Sequence, residues 1–466
     1  MKTNTACFLR LAGLLSTGLG LLSALSSSAQ TLRDFGFGSM ATGPTRRMLV
    51  VLADFATAPA FAHDQSFYEG LFFQTLQRPS VNGYFQEVSN DRFTWTRAGI
   101  IGPIAFSESE LGQNFTPETM EFGLRQLLYH SNLVHRAMAS GLFNFSSADS
   151  NHDGTVTRDE LVIVVVSNDG WENSSNRDAG RVAPAGSPVA WSGLVVRLWH
   201  RPEEDFDTTC HEIAHSLGAV DLYGVWGQQC LNTGLTLMGC TLGSIFPNFH
   251  LDPWHKMLFG WSEPRLLSLS DGGTVDLPAA QLRRSDAPIL LFDPARGKNE
   301  FFLIEYRTRN TPIGGGYDNN VGNGSGYGLV LWHWAAGQPL TAEGFPSLER
   351  GGNAPWPSGT TTPGLRWADG SWISRRIHVQ PFTFGDASIT VVVGELPVWV
   401  DFNFACTSCG DGSFDDPYNS LLRGVLNVSE RGTIMVKASS SSETITIRNA
   451  CVLKSYGGPA RIGIGQ

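Results

Sequence analysis

The stretch HEIAHSLGAVD at residues 211–221 constrains this chain more than any other. His211 and His215 are four apart, so on an α-helix they stand one turn apart on one face and can point two imidazoles at a single metal ion. Glu212 follows His211 by about 100° around the helix, where its carboxylate reaches a water on that metal without ligating it. Gly218 comes three residues after His215. A glycine there can take the left-handed conformation that ends a helix and turns the chain back, bringing Asp221 towards the open side of the metal. His211, His215 and Asp221 then make a three-ligand zinc site with room for water. Structural zinc is closed by four protein ligands, so this set reads as catalytic. Cys210, Ile213, Ala214 and Leu217 form an apolar stripe on another side of the same helix, as in a helix that packs on a core while its histidines line a cleft.

The motif belongs to an ordered series. HEIAHSLGAVDLY is followed by TLMG at 236–239 and DPWHKMLFGW at 252–261. RRMLVVLADF at 46–55 and NGYFQEVSNDRFTWTRAGIIGP at 82–103 precede it, and FFLIEYRTRN at 301–310 and GYGLVLWHW at 326–334 come after. The series resembles the immune inhibitor A family of secreted metallopeptidases, a branch of the metzincins, over residues 46 to 335. The resemblance implies an α/β (α+β) metzincin-like zinc peptidase domain, with Met238 as the methionine of the turn beneath the metal. Tyr223, two residues past Asp221, is a candidate donor to a developing oxyanion or a packed tyrosine. His200, His250, His255, His333 and Glu305 are read as structural, because Asp221 already stands at the expected ligand spacing.

Length and composition set the frame around this site. A chain of 466 residues suggests two or three domains. Lysine and arginine total 33 against 43 aspartates and glutamates, which leaves no basic footprint for nucleic acid. Residues 1–29 carry Lys2 and Arg10, an apolar run and small residues ending at Ala29. This is the pattern of a secretory signal peptide, and no other segment is apolar enough to anchor the protein in a membrane. Residues 30–45 then form a linker too short for a long inhibitory pro-segment. The catalytic domain is expected over 46–264 and a β-rich region continuous with it over 265–400. At 401–466, GDGSFDDPYNSLLRGVL followed by brief strands resembles the start of a right-handed parallel β-helix.

Within the catalytic part, MLVVLADF reads as a buried strand, FYEGLFFQTLQ as a helix and RFTWT as a half-buried strand. Thr116 and Pro117 suit the start of a second helix. Residues 170–202 read as a long loop broken by a strand at GLVVRLW, which is expected to border the substrate cleft.

DSNHDGTVTRDE at 149–160 has the spacing of an EF-hand loop. Asp149, Asn151 and Asp153 alternate oxygen-bearing side chains, Gly154 permits the sharp turn, Thr155 offers its carbonyl and Glu160 stands at the closing carboxylate position. The following LVIVVV is a strand pattern rather than a helix, so the expected calcium site is stabilising and not a sensor.

Of the seven cysteines, Cys7 leaves with the signal peptide. Cys230 and Cys240 could close a short loop in an oxidising compartment, and Cys210 reads as a buried thiol. Cys406 and Cys409 have no second pair to complete a zinc site. The function expected is a secreted zinc-dependent endopeptidase acting on protein or peptide substrates, with Glu212 as general base. The alternative is a non-catalytic extracellular binding or adhesive protein on a vestigial peptidase fold.

Overall fold

The run MLVVLA has no polar face, which suits a strand covered on both sides. It lies in β1 (Thr45–Phe55), where Met48, Val50 and Leu52 enter one core and Leu49, Val51 and Ala53 enter another. The computed structural model describes residues 31–35, 37, 42–56, 58–75, 79–106, 122–169, 175–222, 235–239, 249–308, 317–318, 327–336, 347–348, 355–362, 365–371, 373, 375–405, 410–429, 431–448 and 450–463. The signal-like start, the Thr116–Pro117 helix start, Tyr223, Cys230, Cys240, Cys406 and Cys409 lie outside the described residues.

After β1 come α1 (Gln65–Phe73) and α2 (Val81–Val88), whose first turns are capped by the side chains of Asp64 and Ser80 accepting from the amides of Phe67 and Gly83. The chain continues through β2 (Thr94–Phe106), α3 (Phe122–Ala139), β3 (Thr155–Thr157), β4 (Val162–Ser167), β5 (Ser175–Val182), β6 (Ala190–Trp199), α4 (Phe206–His215) and α5 (Pro253–Leu258). β2, β1, β4 and β6 lie side by side and parallel. β4 is buried along its whole length, as its unbroken apolar run requires. α3 covers one face of this sheet through Leu133, Val134 and Ala137, and α1, α2 and α4 cover the other. Each fully buried apolar side chain in these layers contributes about 1.5–3 kcal/mol.

GLVVRLW lies in β6, inside the sheet between β4 and β5. Val196 pairs with Val164 of β4 on one side and with Asn176 of β5 on the other. β5, antiparallel to β6, is one edge strand of the sheet and lies in the stretch expected to be a loop. Its sequence SNRDAGRV lacks apolar alternation, and its strand conformation comes from pairing with β6.

The second region contains β7 (Arg265–Ser268), β8 (Gly273–Pro278), β9 (Ile289–Phe292), β10 (Glu300–Arg307), β11 (Gly328–Ala335), β12 (Ser347–Leu348), β13 (Arg376–Val379) and β14 (Ser388–Gly394). One sheet runs β12-β11-β10-β9-β7 and a second runs β13-β14-β8. β10 is buried throughout. Its Phe301 and Leu303 join the core of the first region, while Phe302, Ile304 and Tyr306 face the second sheet. One hydrophobic core is thus shared across position 264.

The last region holds β15 (Val398–Val400), α6 (Leu421–Asn427), β16 (Thr433–Lys437), β17 (Ser440–Ser441), β18 (Val452–Tyr456) and β19 (Arg461–Ile462). β15, β16 and β18 stack in parallel, as do β17 and β19. α6 packs so closely over the first strand that a Cβ on Gly424 would lie 2.6 Å from Val400. The buried Arg376 of β13 donates from Nη2 to the Asp411 carbonyl at 3.0 Å, and the Thr361 amide donates to Asp411 Oδ2 at 2.8 Å. These bonds dock the stacked strands on the domain before them. No helix among the described residues is long and apolar enough to cross a membrane.

Candidate metal centre

α4 is set in rotation by its apolar residues: Phe206, Cys210, Ile213 and Ala214 are buried in the core beneath the sheet. That packing turns His211 and His215 to the opposite side, with their ring centroids 4.8 Å apart. The helix ends as its sequence suggests. Gly218 has φ +100°, its amide donates to the His215 carbonyl at 2.9 Å, and the Ala219 amide donates to the Ala214 carbonyl at 3.2 Å. This pair of bonds is a Schellman turn, and it reverses the chain so that Asp221 meets the two histidines.

His211 Nε2 and His215 Nε2 are 3.2 Å apart, and Asp221 Oδ1 lies 3.1 Å from the first and 3.2 Å from the second. Each ring donates its Nδ1–H to a main-chain carbonyl: His211 to Leu237 at 2.8 Å and His215 to Ala219 at 2.9 Å. In the neutral rings the proton therefore sits on Nδ1, and Nε2 presents a lone pair. Three acceptors then converge on one point, and Asp221 Oδ1, although enclosed, has no donor. Such a set holds together around a positive charge, a proton in the free protein or a metal ion. Burial drives His211 towards neutrality, but Asp221, Glu212 and the Leu237 carbonyl outweigh it and raise its pKa. Burial likewise opposes the charged Asp221, and the two rings outweigh it, so its carboxyl lies below the usual carboxylate range. Among the described residues, this trio is the one set of three or more histidine, cysteine, aspartate or glutamate ligand atoms gathered within 4.8 Å. The donor set suits zinc, which takes nitrogen and oxygen ligands in a three-ligand site.

Glu212 is beside the trio and outside it. Its Oε2 accepts a hydrogen bond from the Asn176 side chain on β5, which ties the edge strand to the helix. Met238 is fully buried, its amide donating to Thr236 Oγ1 at 3.2 Å and its carbonyl accepting from Leu222 at 2.8 Å.

Three of the other candidate ligands, His250, His333 and Glu305, are engaged elsewhere. His250 accepts from Lys256 Nζ at Nδ1, 3.0 Å away, and donates from Nε2 to Glu87 at 3.2 Å. Burial and the Lys256 charge push its pKa well down. His333 pairs with Glu300 at 2.8 Å. Glu305 accepts from Arg307 Nη1 and Trp332 Nε1, both at 3.0 Å. Arg307 is fully buried, binds Asp318 through Nε at 2.6 Å and donates from Nη1 to the Leu235 carbonyl at 2.8 Å. The Leu237 amide donates to the His250 carbonyl at 3.0 Å. A buried ionic cluster thus holds the segment whose Leu237 carbonyl orients His211.

At the EF-hand-like loop, Gly154 turns with φ +79° and Val156 is buried. The carboxylates of Asp149, Asp153 and Glu160 do not gather as the zinc-type trio does. Asp149 instead accepts from the amides of Asp153 and Gly154, at 3.2 and 2.9 Å. Asn151 Oδ1 accepts from the Asp153 amide at 3.0 Å, and Asp153 Oδ1 accepts from Thr155 at 2.8 Å. Glu160 spans the loop, with Oε1 on Ser150 and Oε2 on Thr157, each amide at 2.9 Å. Cys210 is buried and unbridged.

Sequence reasoning misses Asn176 and the Asp252–His255 pair. Asn176 carries no local signal. The pair carries one, since Asp-Pro opening a helix marks an N-cap followed by Pro at the first helical position, and Asp252 accepts from the His255 amide at 3.0 Å. No protein-family model matches the chain, and no curated protein matches it.

Proposed function

We propose that the protein is an exported zinc-dependent endopeptidase that hydrolyses peptide bonds in protein or peptide substrates. The observation that carries this reading is the convergence of His211 Nε2, His215 Nε2 and Asp221 Oδ1, each about 3 Å from the others, with Glu212 alongside. Zinc held by such a trio would lower the pKa of a bound water towards 7 and polarise a carbonyl. Glu212 takes the proton of the attacking water on Oε1 and returns it to the leaving amine, while Asn176 steadies Oε2. The outer edge of β5, which no described strand pairs, offers main-chain donors and acceptors to an extended peptide. Residues 1–29 supply the export signal in this reading, and the loop from Asp149 to Glu160 takes calcium as a stabilising ion.

Unfolded casein tests the reading. Cleavage that stops with a zinc chelator, returns with added zinc and is lost in Glu212→Ala supports it. Cleavage that survives chelation, or that is undiminished in Glu212→Ala, overturns it.

A further inference from the structure

We infer that His255 is a positioning residue for the third metal ligand, acting through the main chain of Val220. The inference rests on the zinc reading of the trio. His255 and Asp252 are both fully buried, and both stand at the start of α5, Asp252 as its N-cap. The His255 Nδ1–H donates to Asp252 Oδ2 at 2.7 Å. The same oxygen accepts from Thr236 Oγ1 at 2.7 Å, and Oδ1 accepts from the His255 amide at 3.0 Å. Asp252 therefore places the ring proton on Nδ1 and leaves Nε2 as an acceptor. That acceptor faces the Val220 amide, which donates to it at 3.1 Å.

Val220 sits between two groups of the metal centre. The carbonyl before it, on Ala219, orients His215, and the residue after it is Asp221. The Leu222 amide is held by the Met238 carbonyl at 2.8 Å. Without the ring acceptor, the Val220 amide must find another partner; that amide shares its peptide plane with the Ala219 carbonyl that orients His215, and Asp221 is the next residue along the chain. A shift there moves the aspartate off the point where the two histidines meet. Groups that orient ligands in this way change metal affinity by about 10–100-fold when removed.

The test uses zinc affinity by chelator competition and the absorption spectrum of the cobalt-substituted protein. His255→Leu removes the acceptor. It is expected to weaken zinc binding about 10–100-fold and to move the cobalt spectrum towards that of Asp221→Ala. His255→Gln, whose side-chain oxygen can accept from Val220, is expected to restore most of the affinity, which a mere filler of space would not predict. Asp252→Asn faces Nδ1–H with an amide donor, drives the ring to the other tautomer and should reproduce the loss, so it carries the test if His255→Leu does not fold. Unchanged zinc affinity and cobalt spectrum in folded His255→Leu or in Asp252→Asn would overturn the inference. If the unmodified protein binds neither zinc nor cobalt, the zinc reading itself fails, and that arm is separate from the variants.

Discussion

The Nδ1–H of His211 donates to the main-chain carbonyl of Leu237 at 2.8 Å, which makes α4 and the segment carrying Met238 one mechanical unit. The partners of that segment extend inward to Arg307 and His250. The candidate site is therefore supported from beneath by buried charge as well as by apolar packing.

Ligand and base are separable by zinc content. His211→Ala, His215→Ala and Asp221→Ala are each expected to lose zinc affinity and activity together. Glu212→Ala is expected to retain stoichiometric zinc while kcat falls about 10²–10⁴-fold, the range of general-base catalysis. Metal analysis beside casein hydrolysis checks this, and full zinc occupancy in Asp221→Ala would move the third ligand elsewhere.

Asn176 anchors one oxygen of Glu212. Asn176→Ala should lower kcat about 10-fold or more, the size of a lost hydrogen bond to a charged group, with zinc content unchanged. Steady-state kinetics of the zinc-loaded variant decide it.

Calcium is expected to stabilise the loop from Asp149 to Glu160. An ion bound by the folded state alone adds about 2.7 kcal/mol at a hundredfold excess over Kd. Thermal melts with calcium and with a calcium-selective chelator should differ for the unmodified protein and coincide for Asp153→Ala. Identical melts of the unmodified protein refute the calcium site.

Arg307→Met leaves Asp318 and Glu305 buried without their cation and the Leu235 carbonyl without its donor. The expected loss is about 3–5 kcal/mol in denaturant unfolding. Arg97→Met, which breaks an exposed pair with Glu69, should cost no more than about 1 kcal/mol.

Asp252 contributes a defined acid limb to stability. Burial would raise its carboxyl, but His255 and Thr236 outweigh burial and bring it down to about 2. Because the folded value lies below the unfolded one, near 3.9, this contribution is complete above about pH 4 and is lost as the pH falls towards 2. Unfolding free energy measured across that window should fall less steeply in Asp252→Asn.

The α4 helix, its two histidines one turn apart, the Gly218 turn, the buried run of β1 and the fully buried strand β4 were legible in the sequence. Each depends on residues within a turn or a strand of one another, where periodicity and backbone preference act directly. The tertiary structure decided the rest. β5 is a strand because β6 pairs with it. Arg376 reaches 35 residues along the chain to the Asp411 carbonyl to dock the last region, His255 reaches 35 residues back to Val220, and Arg307 reaches 72 back to Leu235. Such partners are chosen by which segments the hydrophobic cores bring together, and once buried there a polar group must be satisfied by whatever donor or acceptor faces it. A candidate ligand set can thus be written in eleven consecutive residues, while the groups that hold it in place are found only where the folded chain returns.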